Sequence, residues 1–169
     1  MEVQAFYQRE ISAMRAMVDA TMQGISDEDF NRAPDGTLNS IKAIFLHLLI
    51  AEDGYIQTIL QEQPRIWVTE GWGERVGLPG PSGQSAGWDA IKETSVSLAP
   101  LLAYQQAVRA GTDAYLARLA ADDLDREVPF LGAQRPAADV LAMLVVHTMG
   151  HAGEIAAIKG MMGLKGLPF

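Results

Sequence analysis

Cysteine is absent from the chain, which removes disulfides, thiolate metal ligands and a cysteine nucleophile together. Basic residues are scarce: 13 Lys and Arg stand against 21 Asp and Glu, for a formal net charge of -8. No cluster of Lys or Arg interrupts that acidity, which argues against nucleic acid as a partner because phosphate binding depends on such clusters. A membrane-spanning run is lacking too. The most apolar stretches, residues 43–51 and 140–146, are broken by histidine or bounded by polar residues well short of the ~20 residues a span requires. No membrane partner is therefore expected. The opening residues, Met1 to Glu10, hold no basic segment leading into an apolar one, so no secretory signal is read and the cytoplasm is the expected compartment. No stretch shows a convincing strand pattern, and there is no internal repeat.

What the chain does contain is enough apolar surface for a core. Of its 169 residues 49% are apolar and 20% charged, the balance of a single globular domain over residues 1–169. Four long stretches repeat their apolar residues near the period of an α-helix. The first runs from Val3 to about Gln23 through Phe6, Ile11, Met14, Met17 and Val18, and Gly24 stops it. A connection with turn chemistry follows, Ser26 to Asp29 and then Pro34-Asp-Gly36. Thr37 or Asn39 can cap the second helix, expected from Ser40 to Gln61 with an inner stripe of Ile44, His47, Leu48, Ala51, Tyr55, Thr58 and Ile59. The third is expected from Ser95 to Ala120, after a short lead-in at Ala90 to Glu93, with Pro100 tolerated in its first turn. Beyond an acidic connector, Asp122 to Val128, Pro136 opens the last helix, which ends near Gly160 or Gly163. Four helices without strands make an all-α four-helix bundle.

Only three histidines occur, and two of them stand four residues apart in the last helix, His147-Thr-Met-Gly-His151. That spacing puts both imidazoles on one face, one turn apart, with Val140, Leu144, Ile155 and Ile158. Two neutral rings in an apolar interior need a partner for each ring nitrogen, and a shared metal ion satisfies them together. His47, on the inner stripe of the second helix, can complete the set. Bundles build metal sites in this way, from side chains on facing helices. Three imidazoles with an open position are the pattern of a catalytic ion, since structural zinc closes its fourth position with protein ligands. The ligand chemistry admits Zn, Ni, Fe or Mn without choosing among them. The competing reading is three core histidines, each satisfied by its own hydrogen bond; it suits one histidine better than three that can meet. The pair lacks the glutamate of an H-E-x-x-H helix and is no metalloprotease signature.

Glu154, three residues beyond His151, shares the histidine face. It can be a fourth ligand, a hydrogen-bond partner behind a ligand, or a catalytic general base near bound water; it can equally be an exposed salt-bridging carboxylate. Glu52 and Asp53 fall on other faces than His47 and are expected in solvent. Between Gln63 and Trp88 the periodicity gives way to Gly, Pro and Trp, the composition of a lid or binding segment, or of a plain surface excursion. Trp67, Trp72 and Arg75, with Tyr55 and Arg65, are candidates for the cofactor-binding wall of a pocket mouth or for holding a carboxylate, weighed against ordinary packing. Gly150 and Gly153 permit close helix packing or access to the metal, and the methionines read as core filler.

Three segments now carry a likeness. His47 within Asn39-Ser-Ile-Lys-Ala-Ile-Phe-Leu-His47-Leu-Leu-Ile-Ala-Glu52, the stretch Gly71-Trp-Gly-Glu-Arg-Val-Gly-Leu-Pro79, and His147-x3-His151-Ala-Gly-Glu-Ile-Ala-Ala-Ile-Lys with its Met-Gly-Leu tail resemble the DinB/YfiT-like superfamily of metalloenzymes over nearly the whole chain. The resemblance implies a bundle of up-up-down-down topology, often a homodimer, with a divalent metal on His47, His147 and His151. It implies enzymes that use low-molecular-weight thiols such as bacillithiol and mycothiol, and some hydrolases. The family frequently has Gln where this chain has Glu154, which adds a carboxylate beside the site. The expected function is thus a metal-dependent thiol S-transferase acting on a small-molecule substrate, with a metal-dependent hydrolase as the alternative. A non-enzymatic dimeric stress-response or binding module with a structural metal is the competing class.

Overall fold

A computed structural model describes residues 2–34, 39–78, 91 and 93–167. Asp35 to Thr37 of the expected turn and cap, residues 79–90 with Trp88, and residue 92 of the lead-in lie outside them. All four long helices are present: α1 (Val3–Met22), α3 (Ile41–Asp53), α6 (Leu98–Leu116) and α7 (Ala137–Met161). They form a four-helix bundle in which α7 packs on α1 and α3, and α3 on α6. Shorter turns of helix are α2 (Asp27–Asn31), α4 (Ile66–Thr69) and α5 (Trp72–Arg75). One part of the core joins Ile44, Phe45 and Leu48 of α3 to Leu101 and Tyr104 of α6 and Ile155 and Ile158 of α7. Another joins Ile11 and Met14 of α1 to Tyr115, Val140 and Leu144.

Local chemistry sets the helix ends. Ser40, rather than Thr37 or Asn39, caps α3: its hydroxyl accepts from the Ala43 N–H. Ser26 does the same for Asp29, which turns the expected connection into α2. Asp27 then accepts from the Leu98 N–H and Asn31 from the Val96 N–H, fixing the entry to α6 three residues later than its periodicity suggests. At the far end of α7, Gly163 has φ +77°, and the N–H groups of Gly163 and Leu164 bond to the carbonyls of Gly160 and Lys159. This is a glycine-terminated helix end with its orphan carbonyls satisfied. Lys159, 3% exposed, donates to the carbonyls of Thr21 and Gln23 and so neutralises the C-terminus of α1.

Three expectations are corrected. The α-helical stripe of the second helix stops at Asp53, because Gly54–Leu60 continues as a π-helix whose i→i+5 pattern shifts the register. Ile56 and Leu60 are buried there, while Thr58, expected on the inner stripe, is exposed. Strands exist as well: β1 (Glu127–Phe130) and β2 (Ala133–Pro136) pair antiparallel around Leu131 and Gly132, both at positive φ. β1 alternates exposed and buried positions over only four residues, β2 has no buried position, and a Leu-Gly turn lacks the Asn-Gly or Asp-Gly signal of a tight hairpin. Finally, Glu52 and Asp53 are 6% and 1% exposed, not solvated. Glu52 accepts from Arg15 and from the Thr112 hydroxyl, tying α1 and α6 to α3. Asp53 accepts from the N–H groups of Ile66 and Trp67 and from the Tyr104 hydroxyl.

Two helical stretches, Ile41–Leu60 and Ala137–Met161, are long and apolar enough to cross a membrane, more than the interrupted runs of the sequence suggest. Both give their buried residues to the bundle core, the ordinary use of such helices.

Candidate metal centre

α3 and α7 are neighbours in the bundle, and their contact brings the three histidines together. The ring centroids of His47 lie 4.9 Å from His147 and 5.0 Å from His151, and those of His147 and His151 are 4.6 Å apart. One ligand nitrogen from each ring falls within 4.8 Å of the others. The Nε2 atoms of His47 and His147 are 2.9 Å apart. An ion bound at about 2.0–2.1 Å holds neighbouring nitrogens roughly 2.9–3.4 Å apart for ligand angles of roughly 90–109°. The spacing observed for the closest pair fits that range, and the donor set of three imidazoles suits a divalent transition metal.

Glu154 occupies one of the roles the sequence left open. Its Oε2 lies 2.7 Å from His151 Nδ1, and a carboxylate can only accept, so Nδ1 carries the proton and Nε2 presents the lone pair. Among the described residues, the converging ligand group contains the three histidines and not Glu154. Its carboxylate orients His151 rather than joining the ligands.

Burial favours the neutral form of His47 and His147. His147 is pushed down to about 4, first by loss of solvent and then by the neighbouring His151 and His47. His47 is lowered by burial and by His151, against Glu154, which raises it. The His147 Nδ1 is buried without a hydrogen-bond partner, a local penalty the fold retains at the centre of the cluster. A stability consequence follows for the metal-free protein. The unfolded chain takes up a proton near pH 6.5, while folded His147 resists protonation until about 4, so stability should hold above 6.5 and fall as the pH drops toward 4. Urea midpoints at about pH 7.5 and about pH 5 should show the loss, and it should shrink in His147→Leu. Equal losses in the two proteins would refute the assignment to His147.

The other candidates separate. Tyr55, half-buried in the π-helix, packs edge-on to His147 at 6.0 Å and to Phe130 at 5.4 Å, and so belongs beside the histidines. The shifted register of the π-helix carries it there, a device found often at functional sites. Trp67 and Trp72 do not stand at a pocket mouth. They are 2% and 3% exposed and close on Tyr104 at 5.1 and 5.5 Å. The Trp72 Nε1–H donates to Glu70, and the guanidinium of Arg75 lies 3.4 Å over the Trp72 ring. Both indoles are thus packed in the core among the described residues, whereas Arg75, its side chain 52% exposed, stays at the surface. Arg65 fits against Gly54, where a Cβ would come within 2.9 Å of its guanidinium.

The relatives agree with this architecture. A search of curated proteins finds no match. Two solved structures share the fold. One is a conserved protein from Enterococcus faecalis, 16% identical, with a TM-score of 0.82 over 96% of this chain and 99% of its own. The other is a DinB-like protein from Bacillus cereus, 16% identical, with a TM-score of 0.61 over 98% of this chain and 95% of its own. At such identity the likeness speaks for the fold alone. A family model described as the DinB superfamily matches residues 10–155, a span that takes in all three histidines and Glu154. The three-histidine group fits a metal-binding protein, and the chain belongs to the DinB superfamily.

Proposed function

We propose that the protein is a metal-dependent thiol S-transferase. His47, His147 and His151 hold a divalent ion, and the sulfur of a low-molecular-weight thiol of the bacillithiol or mycothiol type is joined to a small electrophile. One observation carries the reading: the converging group consists of three imidazoles alone among the described residues, which leaves positions for exogenous ligands. When bound, the ion supplies Lewis acidity that favours thiolate over thiol at neutral pH. Glu154 fixes the tautomer of His151, and His147 stays neutral and able to ligate. In the transfer a sulfur–carbon bond forms, the bond to the leaving group breaks, and the thiol proton departs with that group to solvent. The sulfur must come from outside, because the chain has no cysteine.

A hydrolase would use the same ligands but needs a base for water. The carboxylate placed to be one, Glu154, already accepts from His151 Nδ1, which favours the transferase. A cytoplasmic location, where small thiols stay reduced, and a homodimeric state complete the proposal.

Elemental analysis of protein purified without a His-tag or chelator should find near-stoichiometric divalent metal. The loaded protein should conjugate an aryl halide to a small thiol, and His151→Ala should lose both metal and turnover while its circular dichroism stays helical. Ester cleavage that needs no thiol would replace the reading with a hydrolase. Bound metal without turnover, together with an unfolded His151→Ala, would leave a binding module with a structural ion.

A further inference from the structure

The last helix carries more apolar surface than the bundle uses. Of the most apolar stretch of α7, 39% is buried, against 61% for Ile41–Leu60. From Ala142 to Met161 its exposed positions form one helical row, with Val146, Met149, Gly150, Gly153, Ala157 and Gly160 between. Val146 is 68% exposed and Met161 57%. The row is about 28 Å long and bears no charged or hydrogen-bonding side chain, on a chain of net charge -8.

The glycines are the second observation. Inside a helix glycine is the least favourable residue short of proline. A Cβ added at Gly150, Gly153 or Gly160 would meet nothing within 4 Å, and none of the three has a left-handed φ. Among the described residues, no contact therefore requires them. Access to the metal does not account for Gly160, nine residues beyond His151. Their use lies with a surface that approaches from outside, closer than side chains allow.

We infer that this row is the interface with a second copy of the chain, the two α7 helices crossing antiparallel about a two-fold axis at Gly153. The inference gives a face to the homodimer proposed above and is independent of the metal chemistry. The row's own pattern selects its occupant. About Gly153 the positions pair as Met149 with Ala157 and Val146 with Gly160, so the two large side chains nearest the axis each meet a small residue of the other copy. A parallel pair would set Val146 on Val146 and Met149 on Met149. An acidic chain meets its own copy most readily where neither carries charge. A lipid surface is the weaker occupant, because helices lying in a membrane interface are rich in Lys and Arg on the polar face. The charged residues of α7 are Asp139, Glu154 and the buried Lys159.

The absence of cysteine makes the test direct. Wild-type protein should sediment as a dimer. An equimolar mixture of Met149→Cys and Ala157→Cys proteins, mildly oxidised, should give a disulfide-linked heterodimer. Neither alone should cross-link faster than a Ser12→Cys control on the exposed side of α1. Gly153→Leu should lose the dimer yet remain folded, with a more stable monomer, since leucine is the better helix former and a Cβ at this exposed position meets nothing within 4 Å among the described residues. A monomeric wild type, including one that sediments with anionic lipid vesicles, overturns this inference and the homodimer together. A dimer in which Val146→Cys links to itself as fast as the mixed pair overturns the antiparallel register. A dimer in which neither combination links overturns the face alone and leaves the metal reading standing.

Discussion

Replacing His147 by leucine should make the metal-free protein more stable and at the same time abolish its stabilisation by divalent metal. The two effects have opposite signs for one reason. His147 sits with Nε2 2.9 Å from that of His47 and its ring 4.6 Å from His151, while its Nδ1 is buried without a partner. An apolar side chain of similar volume removes the orphaned nitrogen, a gain of about 1–2 kcal/mol. In the wild type, metal at a thousandfold excess over Kd should add about 4 kcal/mol. For a chain of this size that corresponds to roughly 8–16 °C in Tm. Denaturation of both proteins, with and without Zn, Ni, Fe or Mn, reads both signs. A variant whose Tm still climbs with metal would remove His147 from the ligand set, and a metal-free variant weaker than wild type would mean that the imidazole is there to pack.

Asp53→Ala should be the most damaging single change outside the histidines. The carboxylate is 1% exposed and accepts from Ile66 N–H at 3.0 Å, Trp67 N–H at 2.9 Å and the Tyr104 hydroxyl at 2.7 Å. In effect it caps α4 from a distance of thirteen residues and ties that turn to α6. Burial and the same carboxylate hold the Tyr104 hydroxyl protonated, well above the usual tyrosine range. Alanine leaves two buried donors and one partly buried donor unpaired, at about 1–3 kcal/mol each, so a loss of about 3–9 kcal/mol is expected. Tyr104→Phe should be harmful alone but partly restorative in the Asp53→Ala background, where it deletes one of the stranded donors. Urea unfolding followed by tryptophan fluorescence measures the cycle, since Trp67 and Trp72 both rest on Tyr104. If Tyr104→Phe harms both backgrounds equally, the hydroxyl is not held by Asp53.

Much of the architecture was legible before any coordinates. Helical period marks the four long helices, and Gly24 and Gly163 mark ends at positive φ. The histidine cluster was legible for a similar reason: His147 and His151 are one turn apart, so a single helix determines their common face, and His47 is the only histidine left to join them.

What escaped were side chains whose partners lie far along the chain. Asp53 and Glu52 read as solvated because a carboxylate without a local partner belongs in water; their partners are Tyr104, Arg15 and Thr112, brought up only by packing. Trp67 and Trp72 read as pocket walls because they lie in an aperiodic segment, yet Tyr104 gives them a core to enter. Glu154 had several roles open until the i,i+3 geometry closed it onto His151 Nδ1. Sequence alone determined the helices and the shared face of His147 and His151, since period and spacing act within a few residues. Tertiary structure decided which carboxylates are buried, how the three histidines converge and which face of α7 the described residues leave uncovered, because each depends on atoms that only the folded chain brings within hydrogen-bond or packing distance.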